Sequence, residues 1–406
     1  MHESNRLRCT PRMSRLGAAL GLALFATGAS AVTVQGGDWQ LDIGGIVNAY
    51  FTSVSCSGDA VGGIALASRG LGCSGEDHKT TIGNGLLPDG LITKFKTTQD
   101  GIDIGGTIGI MVHTATSSGV DPNSGVDVRQ AFFTLGTPEM GTVKLGRDYG
   151  IFGANAILSD MTLLGAGAPT QATQRGRVTL GHIGAGYTYL GTYGQMAYTS
   201  PVLGGGFTFT GALVSPVDSG VFASKSYPQV QMQLSYANDV AKAWVGMKTQ
   251  KFYASSDVVG PDPDAPPIIA TGDTFNEVAG EAGVSANLGA FGVLANVQYG
   301  KGIGILIDGD QGEEKGLNYL VQGTWKVTDK LKFGLNYGIS KNQDNDTYND
   351  VYNGSLKSNS NVTGGLYYQL TKSVTLVGEL GQTRSKDYLG NTAKQFGASV
   401  GGIIFF

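Results

Sequence analysis

Along most of the chain, apolar and polar positions alternate one by one. In LKFGLNYGI, Leu331, Phe333, Leu335, Tyr337 and Ile339 share one parity, and Lys332, Gly334, Asn336 and Gly338 share the other. The same alternation runs through VQMQLSY, FGVLANVQY, LNYLVQGTW, VTGGLYYQL and SVTLVGEL. A period of two belongs to a strand, whose side chains point to opposite faces in turn. One face here is aliphatic or aromatic, and the other is mostly Gln, Asn, Thr, Ser and Gly. The chain ends on the same pattern in GASVGGIIFF, where Phe396, Ala398, Val400, Gly402, Ile404 and Phe406 fall together.

The connections add a second rhythm. Short turns at AND, LGA, TDK and TKS alternate with the long polar stretches SSDVVGPDPDAPPIIATGD, KGIGILIDGDQGEEKG and KNQDNDTYNDVYNGSLKS. Turns on one side and loops on the other mark a transmembrane barrel, whereas a soluble sandwich has no reason to segregate loop length. The pattern therefore predicts an all-β fold, a transmembrane antiparallel barrel of about 16 strands. It begins near Trp39 to Ser53 and closes when the last strand meets the first, which leaves no open edge in lipid. At that size the polar face walls a water-filled channel. Tyr50, Phe51, Tyr236, Phe252, Tyr253 and Tyr299 are candidates for the aromatic girdles at the membrane surfaces.

Composition agrees, with 65 Gly, 17 Tyr, 16 Phe and only 15% charged residues among 406. Glycine disfavours helices, and no linker divides the chain into domains. Residues 1–31 carry Arg6, Arg8, Arg12 and Arg15, a short apolar run and an Ala29-Ser30-Ala31 ending, the pattern of a secretory signal. Without them, residues 32–406 form a single barrel domain with 24 basic and 31 acidic side chains. That balance predicts no nucleic-acid partner. Cys56 and Cys73, the cysteines left after the signal, are expected to form a disulfide in an oxidising exported compartment. The acidic loops hold Asp257, Asp262 and Asp264, then Asp308, Asp310, Glu313 and Glu314, then Asp344, Asp346 and Asp350. DNDTYND lacks the Gly and Glu of an EF-hand, so a solvated rim is expected there, with no metal site and no cofactor.

One segment breaks the alternation. After KLGRDYG the chain runs through IFGANAILSDMTLLGAGAPTQATQRGR, about 151–178, without a strand pattern. On GRDYG (146–150), SDM (159–161), the glycines at 165 and 167, and VRQAFFTLG (128–136), the sequence resembles the trimeric general diffusion porins of Gram-negative outer membranes. The resemblance implies that this loop, after the fifth strand, folds into the barrel as a constriction with acids facing a basic wall. On that basis Asp160 is the acidic candidate and Arg129 the leading basic one, followed by Lys94, Arg175 and Arg177, with Arg147 lining the pore or pinning the loop root. Lys242, Lys248 and Lys332 share strand faces with polar neighbours and are further pore-wall candidates. Leu164 and Ile92 depart from the family pattern at a loop acid and a wall Arg, which predicts a weaker transverse field.

The function so implied is passive diffusion of small hydrophilic solutes and ions across the cell outer membrane, without catalysis. Implied partners are outer-membrane lipid and lipopolysaccharide, two further copies in a homotrimer, and the barrel-assembly machinery that reads the terminal Phe406. The loop holding Cys56 and Cys73 is a candidate latch onto a neighbouring copy. Three alternatives compete: a substrate-selective porin for organic anions, an outer-membrane barrel enzyme, and an energised receptor. The second lacks a nucleophile motif, since His78, His113 and His182 lie in no recognisable catalytic context. The third would need a plug domain before the first strand.

Overall fold

The computed structural model describes residues 31–115, 126–167, 179–224, 226–260, 262, 265–343 and 354–406. Its strands are β1 (Val32–Gly36), β2 (Trp39–Gly58), β3 (His78–Gly83), β4 (Asp89–Gln99), β5 (Ile102–Val112), β6 (Val126–Thr137), β7 (Gly141–Tyr149), β8 (Thr192–Thr199), β9 (Phe207–Val214) and β10 (Phe222–Ala223). They continue with β11 (Gln229–Ala237), β12 (Ala241–Ala254), β13 (Thr274–Leu288), β14 (Phe291–Lys301), β15 (Lys315–Lys326), β16 (Leu331–Asn342), β17 (Leu356–Gln369), β18 (Val374–Asp387) and β19 (Thr392–Phe405). Each long strand pairs antiparallel with its sequence neighbours, and β19 pairs with β2 from Ala393↔Gly58 to Phe405↔Ile46. The sheet is therefore closed, as the apolar C-terminus predicts.

Nineteen segments make 16 staves. β3 and β4 both lie on β2 and form one stave interrupted at 84–88. β1 pairs with the first part of β2 on the edge where β19 ends, and β10 extends β11 along β12. The Phe406 backbone exchanges hydrogen bonds with Gly45, which stitches the end of the chain to its start.

Burial runs opposite to that of a soluble sheet. Val47, Phe51, Leu335, Leu366, Leu380 and Val400 point outward and are exposed, while Asn318, Asn336, Asn361 and Thr363 point inward and are buried. An apolar outer belt suits hydrocarbon, and a closed ladder leaves no strand N–H or C=O unpaired in it. Two girdle candidates prove misassigned: Tyr50 and Phe252 have inward parity and are buried, whereas Phe51 and Tyr299 face out. The long-loop rule has an exception in the last connection, 388–391, which is short.

Candidate functional site

After Tyr149 the segment between β7 and β8 turns into the barrel, and within β7 Gly146 has a φ of +129° that places any Cβ against the Ala131 carbonyl. Only glycine fits there. The first leg of the loop is held by wall side chains reaching its backbone. Gln231 Oε1 accepts from the N–H groups of Ile151 and Phe152 (2.7 and 3.0 Å), and the Glu281 carboxylate accepts from Gly153 N–H (3.0 and 3.1 Å). A short helix, α1 (Arg69–Gly72), lies in the first loop, and α2 (Ala154–Ser159) follows this anchor. Beyond α2, Gln322 bonds both Met161 N–H and the Ser159 carbonyl, and Glu379 Oε2 accepts from Gly167 N–H at 3.0 Å. Gly165 has no room for a side chain because the Glu379 carboxylate fills the space. Buried backbone donors are thus satisfied by amide and carboxylate oxygens of the wall.

Asp160 is at the centre of this packing and is buried, not presented to a pore. Its carboxylate accepts from Thr162 N–H (2.9 Å), Thr162 Oγ1 (2.8 Å), Tyr187 Oη (2.8 Å) and Asn336 Nδ2 (3.2 Å), with His182 Nδ1 at 3.2 Å. It starts the 3₁₀ turn Met161–Leu164 and ties it to the returning leg, 179–191. The returning leg is itself fixed through Gly186 N–H to Ser340 Oγ and Thr188 N–H to Gln298 Oε1. The expectation of loop acids opposed by wall cations is corrected here. The loop's acid is internal, and wall acids hold the loop.

Arg129 does face the lumen, through a device the strand pattern hides. Gly109 pairs with Gln130 and Ile110 with Val128, so Arg129 is an extra residue in β6. A bulge of this kind re-aims a side chain, and it turns Arg129 inward beside Gln130. Its Nε lies 2.8 Å from Asp127 Oδ2. Lys94 also faces the lumen, opposite Asp42 in register. Arg147 does not line the pore. It is exposed on the outer face with its register partner Ala131, donating to the Val128 carbonyl and Thr192 Oγ1. Arg175 and Arg177 lie outside the described residues.

Lys242 donates to Asn155 Oδ1 of α2, and Lys332 lies 5.0 Å from the Tyr367 ring on the lumen face. Lys248 is buried and is not exposed pore wall. It pairs with Asp308 and with Glu277 at 3.1 Å, over the Phe152 ring. The predicted Cys56–Cys73 disulfide is present.

Sequence reasoning missed two further loops inside the barrel. Residues 302–314 enter through Asp308, whose carboxylate also accepts from Gln229 Nε2, and the Leu306 carbonyl accepts from Tyr189 N–H. Residues 61–67 of the first loop turn in: Leu66 and Ala67 N–H donate to Asn359 and Ser385, and Val61, Ala65 and Ala67 pack on Ile305 and Leu356. Residues 61–67 therefore cover their own barrel, while Arg69, Gly70, Leu71 and Ser74 to Asp77 of the same loop are exposed. The break in the second stave was legible as NGLLPDG, and it pushes Leu86 and Leu87 inward against Gly165 and Leu163.

What stays open beside the loop is a narrow slot of about 50 Å³, lined by Arg129, Tyr149, Tyr189, Leu86, Leu87 and Ile157 among others. Below it, toward the short turns, a wider cavity of about 360 Å³ is lined by Gln322, Asn287, Thr324, Lys332 and Lys372.

A family model described as the Gram-negative porin matches residues 18–388. No curated protein matches the chain. Among solved structures, it is similar to the outer membrane channel DcaP of Acinetobacter baumannii (15% identity over 93% of this chain and 100% of that one, TM-score 0.68). It is also similar to the anion-selective porin from Comamonas acidovorans (17%, 91% and 100%, TM-score 0.62). A third similar fold is Salmonella typhi OmpF in complex with daunomycin (14%, 92% and 100%, TM-score 0.59). Closed barrel, inward loop and family match together make the chain a member of the Gram-negative porin family, an outer-membrane channel for passive diffusion.

Proposed function

We propose that this porin favours small anions over cations. One observation carries the reading: among the described residues, most lumen acids are buried in anchoring the inward loops, while Arg129, Lys144 and Lys248 are buried but five further lumen lysines reach water. Glu281, Glu379, Asp160, Glu277 and Asp308 are all buried. Lys94 and Lys332 are half-buried, and Lys96, Lys326 and Lys372 are exposed, with Lys326 directly opposite Lys332 in register. Of the less buried acids, Asp42 and Asp127 lie beside Lys94 and Arg129, and Asp103 shares a cavity with Lys96. Exposed charge governs the potential an entering ion meets, and a low-dielectric wall focuses it.

The apolar side of the slot, with Leu86, Leu87, Tyr149 and Tyr189 beside one guanidinium, favours a second reading, organic anions with an apolar body. Cleavage after residue 31, assembly as a homotrimer and delivery through the Phe406 signal complete the proposal. Reversal potential in a KCl gradient across a planar bilayer tests it. Chloride preference, reduced in a Lys94→Gln/Lys96→Gln/Lys332→Gln variant, is the expected result. Cation preference overturns the reading, and saturable block of the current by benzoate but not by acetate selects its organic-anion form.

A further inference from the structure

Below the inward loop, the lumen wall carries a second group of cations, apart from the basic side of the constriction. Arg129 and Lys94 stand on β6 and β4. Lys326, Lys332 and Lys372 stand on β15, on β16 and in the short turn between β17 and β18, and the last two line the cavity of about 360 Å³. In register Lys326 faces Lys332, which faces Tyr367. Tyr367 has inward parity and is buried, so the whole row lies on the lumen face.

Like charges directly opposite on a ladder destabilise a sheet, and the local acids do not offset this pair. Among the described residues no ion pair includes Lys326, Lys332 or Lys372. Asp160 lines the same cavity, but its carboxylate is buried under four donors. Glu379 is bonded to Tyr367 Oη at 2.6 Å and to Gly167 N–H, and Asp329 is exposed on the turn between β15 and β16. The rest of the polar lining includes Ser285, Asn287, Thr324 and Thr375. Ammonium groups only donate, while hydroxyls and amides donate and accept, so the cavity suits an anion with several oxygens and a hydroxylated body. Leu158, Leu163 and Phe405 give it an apolar side as well. Its volume is at the lower end of small-molecule pockets, about 300–1,000 Å³, and exceeds what a bare ion fills.

We infer that this cavity is a binding site for a small phosphate monoester, its phosphoryl oxygens on Lys332 and Lys372 and its hydroxylated body against Ser285, Asn287 and Thr324. A phosphoryl group brings about two negative charges and three strong acceptor oxygens, which match two ammonium groups and a neighbouring hydroxyl better than chloride does. The assignment rests on the anion preference proposed above and gives it a ligand class. Its place is below the slot at Arg129, on the side of the short turns, so a solute reaches it from that mouth without passing the slot.

Current through the folded barrel in a planar bilayer tests it, in symmetrical KCl with glucose 6-phosphate, glucose or inorganic phosphate added. Glucose 6-phosphate should block saturably, glucose should not, and inorganic phosphate should block only at higher concentration. Lys332→Gln/Lys372→Gln should raise the half-blocking concentration of glucose 6-phosphate by roughly tenfold or more, since hydrogen bonds to charged groups are the strong ones. Lys332→Arg/Lys372→Arg keeps both charges and should retain most of the block. The mobility of the unheated barrel in a denaturing gel verifies the fold of each variant. Lys94→Gln/Lys96→Gln should shift the reversal potential in a KCl gradient and leave the block intact, which separates the site from the ion preference. Chloride preference without saturable block overturns the site alone, and cation preference with the block retained overturns the ion preference alone. An unchanged half-blocking concentration in the Gln double variant also overturns the site. Equal block by inorganic phosphate overturns the ester in favour of a generic phosphate site.

Discussion

Asp160 and Arg129 exchange the roles their residue types suggest. An aspartate in a Gly-rich loop is expected to meet solvent, yet this one accepts four hydrogen bonds inside the barrel. Removing a partner from such a node leaves buried donors unsatisfied, a penalty of about 1–3 kcal/mol. Asp160→Asn should therefore lower the thermal unfolding midpoint and expose the inward loop to protease, with little change in reversal potential. A large potential shift at unchanged stability would restore Asp160 to the pore. Arg129 was legible as a basic strand residue, but its direction was not. A bulge changes parity by one, and nothing in VRQAFF marks where the extra residue sits.

At the scale of elements, the inward loops are held by a shared logic: a side chain on the wall bonds the backbone or side chain of a loop. Residues 302–314 show it with the Lys248–Asp308 pair, closed off from water and flanked by Glu277 and Gln229. Breaking a buried pair by removing one charge typically costs about 3–5 kcal/mol, because the other charge stays buried. Asp308→Asn is expected to release this loop, seen as faster hydrogen exchange of 302–314 and a larger, noisier single-channel conductance. Unchanged exchange there would mean that Asp310, whose carboxylate accepts from the N–H groups of Ile305, Leu306 and Ile307, holds the loop by itself. The sequence marked this stretch only as an acidic loop. Whether an acidic loop faces water or a buried lysine depends on which strand stands opposite, a fact of register and closure.

The whole molecule is a sheet turned inside out, with its apolar surface outside and its polar surface packed on its own loops. A cation at mid-height on the outer face of such a barrel costs about 2–4 kcal/mol. Leu335 is outward and half exposed, between Gly323 and Gly364 in the ladder. Leu335→Arg should destabilise the barrel by that amount in urea unfolding from lipid vesicles, while the inward neighbour Asn336 is sensitive for the opposite reason, its bond to Asp160. A neutral effect of Leu335→Arg would contradict the lipid exposure of this belt.

Strand period, turn and loop lengths and the apolar C-terminus determined the barrel, its 16 staves and its closure from sequence alone, because alternation is a local property and membrane spanning admits few solutions. GRDYG located the inward loop, and the cysteine pair predicted its bridge. Only the tertiary structure decided which charges meet water. That choice depends on how residues 61–67, 150–167, 179–191 and 302–314 fill the lumen, and on cross-strand register between residues far apart in the chain. Asp160, Lys248 and Glu281 are buried by contacts with residues 176, 60 and 128 positions away in sequence, and no local pattern encodes such distances.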